Sequence, residues 1–382
     1  MTDARQVSIH PEIDSVPAAA WDALANPPGA ESNPFVSHAF LHALEASGSA
    51  TPENGWTPHH LALGDDAGQL LAAAPCYIKA HSLGEYVFDH PWADALHRAG
   101  GRYYPKLQVA VPFSPVPGPR LLAPTPELRR ELLGALQETC ARNGWSSAHL
   151  TFLPEADANA LVSATWLRRT DLQFHWHNRG YASFDDYLAE LSHDKRKQVR
   201  RERRQVREAG VQLRIVAGAD VTEADWDALF AFYQHTGDRK WGRPYLTRAF
   251  FSQLGAALPE AVVLVLCDRA GRTIAGALHL RGSHTLFGRY WGATEEVPCL
   301  HFEACYYQAI DYAIAHRLDR VEAGAQGAHK LARGYLPVAT HSLHYLARPD
   351  LRAAVAEYLV QERAAVAAEA LGVGRGPFRQ VV

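Results

Sequence analysis

The residues best suited to chemistry lie in one glycine-rich segment in the last quarter of the chain. There a predicted short strand ends at Glu322, a loop with Gly324 and Gly327 follows, and a turn presents Lys330 and Arg333. Glycine permits positive φ angles and lets a ligand approach backbone amides closely, and the two cations can stabilise a developing oxyanion or hold a phosphate. An ordinary strand-to-loop turn with solvated charges has the same pattern. The segment therefore indicates either a catalytic loop or a plain surface turn.

A second concentration of chemistry is the basic segment from His193 to Glu208. It holds eight basic and three acidic residues, a local charge of +5 that leaves −8 on the rest of a chain whose net charge is −3. We expect a helix from Phe184 through Ala209, ended by Gly210 at the position favoured for a helix C-cap. Such a segment is either a solvated helix face or a contact for a phosphate-bearing partner. Arginines spaced by four, four and three residues form one face of the expected helix: Arg196, Arg200, Arg204 and Arg207.

The elements that position these segments show an internal repeat. Leu61–Ile78 matches Leu264–Arg281 at a constant offset, with seven identities in eighteen positions. Each copy reads as a β-hairpin with an Ala-Gly turn, followed by more strand and then a helix, although any two hairpins look similar over so short a window. We therefore predict an α+β fold of two domains, 1–177 and 178–382, each a mixed sheet flanked by helices. The second carries the basic helix 193–209 and the glycine-rich loop.

Length and composition bound the remaining classes. A chain of 382 residues, 47% hydrophobic and 21% charged, is long enough for two to three folded domains. Its five cysteines form no CxxC pair, which argues against a disulfide framework and a zinc cage and favours a reducing compartment. The first residues lack a signal-peptide pattern, and no run approaches the ~20 apolar residues of a membrane span. We expect a cytoplasmic protein without integral membrane contact, bound metal or cofactor.

Several of these segments resemble the FemAB-like family of peptidoglycan biosynthesis or recognition proteins. The most specific is Glu322-Ala-Gly-Ala-Gln-Gly-Ala-His-Lys330, and the run Leu191–Arg201 and the strand Gly288-Arg-Tyr-Trp-Gly292 add to it. The resemblance implies two GNAT-like acyltransferase domains in tandem, related to Fem enzymes that move an amino acid from aminoacyl-tRNA onto an amine of a peptidoglycan precursor. It also implies that Lys330 stabilises the tetrahedral intermediate. Family members often carry Gly-Glu-His-Lys, whereas Ala328 replaces the acid here, which puts a general-base role at that position in doubt.

Amide formation on an amine requires a neutral amine, an aligned carbonyl and donors for the oxyanion. With Lys330 as a donor, the base is Glu322, Glu303 or His329, of which the imidazole titrates closest to neutral pH. We therefore predict Lys330, His329 and Glu322 as catalytic residues, and Arg196, Arg200 and Arg204 as contacts for tRNA or another phosphate. The predicted substrate-binding residues are Arg289, Trp291, Glu303, Gly327, Arg333 and Gly334.

The absence of a glycine-rich loop bears on the identity of the acyl donor. GNAT domains that use acetyl-CoA usually hold its pyrophosphate with a glycine-rich loop before a helix. Here the stretch from Gly292 to His301 has no further glycine and contains Glu295 and Glu296, whose charge would repel a pyrophosphate. We expect an aminoacyl-tRNA or other acyl carrier as donor and a small amine or peptide as acceptor. The alternatives are an acyl-CoA or acyl-carrier-protein enzyme, and a non-catalytic protein that binds cell-wall precursors or RNA; a closed cleft around Lys330 would favour an enzyme.

Overall fold

The computed structural model describes residues 5–240, 244–325, 327–372 and 376–379. Two compact units are present: an N-terminal unit, residues 1–171 with 339–369, and a C-terminal unit, residues 172–338 with 370–382. The predicted C-terminal domain, 178–382, includes residues 339–369, whereas in the structure these residues belong to the N-terminal unit. They do so because their strand, His341–Leu346, pairs antiparallel with Ser147–Leu153.

The strands of the N-terminal unit form two sheets, with orders β1-β3-β4 and β2-β5-β6-β7-β14. Pro75 separates β4 from β5, because proline has no N–H to offer a sheet. The strands β1 to β7 and β14 are Gln6–His10, Trp56–Pro58, His60–Gly64, Leu70–Ala74, Cys76–Lys79, Lys106–Val109, Ser147–Leu153 and Leu336–Leu346.

The C-terminal unit has the strand order β8-β13-β12-β11-β10-β9. If β4 and β5 are taken as one interrupted strand, both units show the same succession of pairs: three antiparallel, one parallel and a final antiparallel pair. The strands β8 to β13 are Trp166–His177, Val211–Ala217, Val262–Arg269, Arg272–Arg281, Thr285–Ala293 and Arg320–Ala325.

Helices flank these sheets. The helix that follows β12 contains a π-helical turn, Glu303–Tyr307, between α10 and α11. Such turns are rare and occur often at functional sites. The helices α1 to α12 are Ala18–Ala25, His38–Ala46, His90–Arg98, Pro126–Arg142, Glu155–Leu161, Phe184–Glu190, His193–Glu208, Glu223–Lys240, Arg248–Ala257, Leu300–Phe302, Gln308–Ala315 and Pro349–Gly372.

Both predicted hairpins are confirmed. In the first, Leu61 pairs with Ala74, and in the second, Leu264 pairs with Leu278. The constant offset would have paired Leu264 with Ala277 instead, so the second hairpin is shifted by one residue. With the repeated strand order, the hairpins confirm the predicted α+β class and the two mixed sheets flanked by helices.

The predicted single helix over residues 184–209 is wrong in one respect. It is broken after Glu190, where Leu191 and Ser192 take extended backbone conformations and separate α6 from α7. Gly210 follows α7 with φ +74°, as expected for a residue just beyond a helix end. Val199 and Val206, two turns apart, are both buried, so the apolar stripe of α7 faces inward.

None of the helices in the described residues is long and apolar enough to cross a membrane.

Candidate active site in the C-terminal unit

The site is built where two parallel strands separate. β12 and β13 pair over three residues, from Thr285 beside Arg320 to Phe287 beside Glu322. Beyond that point β13 continues into the glycine-rich loop, where Gly324 has φ +72°. Positive φ there lets the chain turn away from β12, which is the conformational role that glycine serves. The six-residue 3₁₀ turn that follows, Ala328–Arg333, carries two of the three predicted catalytic side chains, His329 and Lys330, and we call it the catalytic turn.

Lys330 is inside the protein. Only 3% of the surface of this residue is exposed, and its Nζ donates a hydrogen bond of 2.9 Å to the carbonyl oxygen of Gly324. Burial lowers the pKa of Lys330 to about 8, with Cys305 of the π turn acting in the opposite direction. At neutral pH the group is therefore still an ammonium, but one whose charge is poorly solvated. Such an ammonium can stabilise a negative charge that develops beside it.

His329 is exposed and belongs to the same turn. Its Nε2 lies 2.9 Å from the hydroxyl of Tyr306, which belongs to the π turn. The ring centroid of His329 lies 6.2 Å from that of His301 and 5.9 Å from that of Tyr306. The hydroxyl contact holds the Nε2 edge of the imidazole. His329 and Lys330 are thus neighbours with different surroundings, one exposed and one enclosed.

Glu322 is buried and faces β8, the strand that pairs antiparallel with β13. Its Oε1 accepts a hydrogen bond of 3.2 Å from the Nε of Arg320 and lies 4.0 Å from Nδ1 of His175 on β8. Burial is the main cause that lowers the pKa of His175 to about 3, and His177, Arg320 and Lys330 act in the same direction. The imidazole of His175 is therefore neutral at physiological pH. Glu322, Arg320 and His175 therefore lie together, and the charge of Lys330 contributes to the lowered pKa of His175.

Arg333, which we predict to contact the substrate, is engaged by groups of the protein itself. Its Nη2 donates 2.9 Å hydrogen bonds to both carboxylate oxygens of Glu202, and its Nη1 donates one of 2.8 Å to the carbonyl of His329. The guanidinium also lies 3.4 Å over the ring of Phe302. Its charge is bound within the protein, where it holds the catalytic turn.

The two predicted substrate-binding glycines have conformational roles. Gly334 has φ +80°, and a Cβ there would lie 2.7 Å from the hydroxyl of Tyr187. Gly327 has φ +128°, and a Cβ there would lie 2.7 Å from the His329 ring. Any side chain at these two positions would deform the turn.

Glu303 is also bound within the protein. Its carboxylate accepts hydrogen bonds of 3.0 and 3.2 Å from Arg203 of the basic helix and one of 2.7 Å from Gln308. Asp311 accepts a further bond of 2.8 Å from Arg203. A carboxylate engaged in this way joins two helices, which argues against its prediction as a base or a substrate contact.

Trp291 lines a groove, and Arg289 lies close to it along the same strand. The groove has a volume of about 660 Å³ and is also lined by His235, Glu295 and His301. The ring of His301 lies 5.5 Å from that of Trp291, so aromatic rings lead from the groove to His329. Arg289 is half-buried, with its guanidinium 5.2 Å from the Tyr290 ring. The groove is large enough for an acyl group and its carrier end.

The basic helix α7 presents part of the predicted arginine face. Arg200 and Arg204 are exposed, with partners at 3.3 Å (Asp185) and 3.8 Å (Glu208). Arg196 is half-buried and donates hydrogen bonds of 3.3 and 3.2 Å to the carbonyls of Ala189 and Leu191. Arg196 therefore supports the break between α6 and α7, and Arg200 and Arg204 are the more accessible phosphate candidates.

Sequence reasoning missed three contributors to this site: His175, Glu202 and Tyr306. Each has a polar group that contacts the catalytic turn or its neighbours from a distant part of the chain. A weak signal existed for His175, a histidine inside an apolar strand pattern, and none for Tyr306, since a helical tyrosine is common. Within the described residues, no group of three or more His, Cys, Asp and Glu side chains is arranged to hold a metal ion.

Comparisons with known proteins identify the family and the fold. The model of the FemAB-like family, described as peptidoglycan biosynthesis/recognition, matches residues 12–380. The solved structure of FemX matches with a TM-score of 0.55 and 11% identity, over 94% of this chain and 99% of FemX. L-PGS from Bacillus licheniformis matches with a TM-score of 0.51 and 11% identity, over 87% of this chain and 98% of L-PGS. No curated protein sequence matches. The predicted family is confirmed, and so is the predicted fold of two mixed sheets flanked by helices.

Proposed function

This chain belongs to the FemAB-like family, and we propose that its C-terminal unit transfers an aminoacyl group from aminoacyl-tRNA to an amine of a peptidoglycan precursor. The observation that carries the proposal is the buried ammonium of Lys330 at the point where β12 and β13 separate. A lysine that served only solubility would be exposed. A protein that only bound RNA or cell-wall precursors would have no need of an enclosed cation with a lowered pKa.

The reaction needs little more than positioning and charge. The amine nitrogen of the acceptor attacks the ester carbonyl of the donor, and the carbonyl oxygen becomes an oxyanion that the ammonium of Lys330 stabilises. His329 takes a proton from the attacking nitrogen. The ester bond then breaks, the ribose oxygen leaves and takes up a proton, and an amide remains. Tyr306 orients the imidazole during the proton transfer through its hydroxyl contact at 2.9 Å.

The donor is an acyl carrier other than coenzyme A in this proposal. Glu295 and Glu296 line the groove next to the site, and Arg269 and Arg272 pair with Glu295 at 3.4 and 3.1 Å. What argues against coenzyme A is that the stretch from Gly292 to His301 has no further glycine whose amide could hold a pyrophosphate. Arg200 and Arg204 on the exposed face of α7 provide cations for the tRNA backbone. Because FemX and L-PGS share this fold at only 11% identity, the test of the proposal uses a mixture of amino acids.

A transfer assay tests the proposal. Purified protein is incubated with tRNA charged with a mixture of radiolabelled amino acids and with a soluble peptidoglycan-precursor peptide that has a side-chain amine. Label should enter the peptide in an amide bond that resists mild base, which hydrolyses the ester of the donor. The same assay with labelled acetyl-CoA and longer acyl-CoAs provides the comparison.

Three outcomes decide between the functions. Transfer from charged tRNA supports the proposal, and transfer from acyl-CoA alone overturns it in favour of an ordinary GNAT reaction. Tight binding of tRNA or precursor with no transfer from any donor overturns it in favour of a non-catalytic protein. Because Lys330→Met removes the proposed oxyanion stabiliser, that variant supplies the background for each assay.

A further inference from the structure

Glu202 is a buried acid within the basic helix. The segment from His193 to Glu208 carries three acids, of which Asp194 and Glu208 are exposed while Glu202 is 4% exposed. Burying a carboxylate costs free energy unless it is paired and hydrogen-bonded. The partners of Glu202 therefore show what this acid does.

The carboxylate of Glu202 is fully engaged. Each of its oxygens accepts a hydrogen bond of 2.9 Å from Nη2 of Arg333, and the exposed fractions of the two side chains are 6% and 4%. Gln198 donates a bond of 2.9 Å to Oε1, and the hydroxyl of Tyr307 donates to Oε2. Three elements thus meet at one carboxylate: α7, the π turn and the catalytic turn.

Arg333 transmits this contact to the catalytic residues. Its Nη1 donates to the carbonyl of His329 at 2.8 Å, and the turn Ala328–Arg333 has Lys330 between these two residues. A six-residue 3₁₀ turn has few hydrogen bonds of its own, so it depends on outside contacts for its shape. The hydrogen bond from Lys330 to Gly324 requires that shape.

We propose that Glu202 is a positioning residue of the active site, which acts through Arg333 to hold the catalytic turn with Lys330 enclosed and His329 against Tyr306. The inference rests on the proposed function for its catalytic meaning, but the geometry it describes can be tested without a substrate. The helix that presents Arg200 and Arg204 to a phosphate partner on its outer side fixes the catalytic turn on its inner side.

The test measures the reactivity of Lys330 itself. Native protein and variants are labelled with trace acetic anhydride at a series of pH values, and the acetylation of Lys330 is followed by peptide mass spectrometry. The native amine should titrate near pH 8 and react slowly, because it is enclosed. In Glu202→Gln the turn should loosen and the amine should become solvated, so its midpoint should rise by about one unit or more towards the ordinary lysine value.

The neighbouring residue on the same helix supplies the control. Arg203 ties α7 to Glu303 and Asp311 rather than to the catalytic turn, so Arg203→Gln should leave the midpoint of Lys330 near its native value. Equal shifts in both variants would mean that Glu202 merely stabilises α7, and the proposal would fail. An unchanged midpoint in Glu202→Gln would also refute it.

A second variant covers the case in which Glu202→Gln does not fold. Removing one partner leaves the Arg333 charge buried and unpaired, which is strongly destabilising, whereas replacing both partners avoids that cost. Glu202→Gln combined with Arg333→Met should fold and still release Lys330. Once a substrate is known, the same variants should lower kcat with little change in KM. Failure of the transfer assay would not affect the labelling result, so the two proposals are tested separately.

Discussion

The N-terminal and C-terminal units share a strand order, but two of their buried lysines, Lys106 and Lys330, have opposite surroundings. In the N-terminal unit the Nζ of Lys106 donates to Glu85 at 2.7 Å and also to Asp89, all three side chains being buried. Burial alone would lower the pKa of Lys106, but the two carboxylates outweigh it and raise the pKa. In the C-terminal unit Lys330 donates to a backbone carbonyl, and burial lowers its pKa to about 8. Lys79 of the N-terminal unit also donates to a backbone carbonyl, that of Leu83, and burial lowers its pKa to about 7, so the contrast holds between Lys106 and Lys330 and not between all buried lysines of the two units.

A second pair of positions shows the same divergence. His149 faces His344 across the last two strands of the N-terminal unit, and Glu322 faces His175 at the corresponding place in the C-terminal unit. In the first pair the Nδ1 atoms lie 2.7 Å apart, in a neutral hydrogen bond between imidazoles. Burial lowers the pKa of both His149 and His175 to about 3. The replacement of one imidazole by a carboxylate therefore gives the pair in the C-terminal unit an acidic group, whereas the corresponding pair in the N-terminal unit consists of two imidazoles.

The largest expected effect contrasts one substitution at the two lysines. Lys106→Met leaves Glu85 and Asp89 buried without their ammonium, so the free energy of unfolding should fall by about 3 to 5 kcal/mol. Chemical denaturation with two-state fitting measures this change. A loss below about 1 kcal/mol would show that the cluster around Lys106 is not structural, and the contrast between Lys106 and Lys330 would fail.

Lys330→Met should lower the activity rather than the stability of the protein. Without an ammonium to stabilise the oxyanion, turnover should fall about a hundredfold or more, since one such donor is worth ~3 kcal/mol in the transition state. Its melting temperature at pH 7 should be equal to or above that of the native protein, because the enclosed charge opposes folding at that pH. Lys330→Arg should recover little activity, since a flat guanidinium does not fit the place of a compact ammonium. Near-native turnover in a folded Lys330→Met protein would remove Lys330 from the mechanism.

The pH dependence separates two roles for Lys330. With a pKa of about 8 the residue is an ammonium below that pH and a neutral amine above it. If the ammonium stabilises the oxyanion, kcat/KM should fall as pH rises through about 8, and this descending limb should be absent from the residual activity of Lys330→Met. If the neutral amine were the base, kcat/KM would rise through the same pH. Rate profiles between pH 6 and 10 distinguish the two.

The smallest expected effect concerns the exposed face of α7. Replacing Arg200, Arg204 and Arg207 with Gln should weaken tRNA binding at low salt and reduce its salt dependence, with a melting temperature within a few degrees of native. The matched control replaces three exposed arginines of the N-terminal unit, Arg98, Arg130 and Arg142, and changes the net charge equally. If both triple variants bind equally weakly, bulk charge and not α7 holds the tRNA.

The sequence predicts the local features well, because each depends on neighbouring residues. The turn at Ala270-Gly271 has positive φ at both residues, as the hairpin pattern requires, and the valines of α7 are buried as their spacing indicates. The helix break after Glu190 was not predictable, since it depends on contacts such as that of Arg196 with the end of α6. Local pattern decides secondary structure, and tertiary contacts decide where it is interrupted.

The buried charges were the main failure of prediction. Lys79, Lys106 and Glu85 would be placed on the surface by composition, yet all three are buried together, with the Nζ of Lys79 3.6 Å from the Trp56 ring centroid. Arg333 was predicted to contact substrate because a cation after a glycine-rich loop suits that role, and its partner Glu202 lies far away in sequence. Pairings between distant residues leave no periodic trace in one sequence. The position of Lys330 was found because local glycines and a family motif mark it.

The pairing of β14 with β7 also sets the order in which the two hydrophobic cores can form during synthesis. The core of the N-terminal unit includes Leu343 and Tyr345 of β14, which emerge from the ribosome near the end of the chain. Every strand of the C-terminal unit has been made once Ala325 is joined. The half of the chain that is synthesised second is therefore the first to have all its strands. The half that is synthesised first waits, with an open sheet edge beside β7, until β14 has been made.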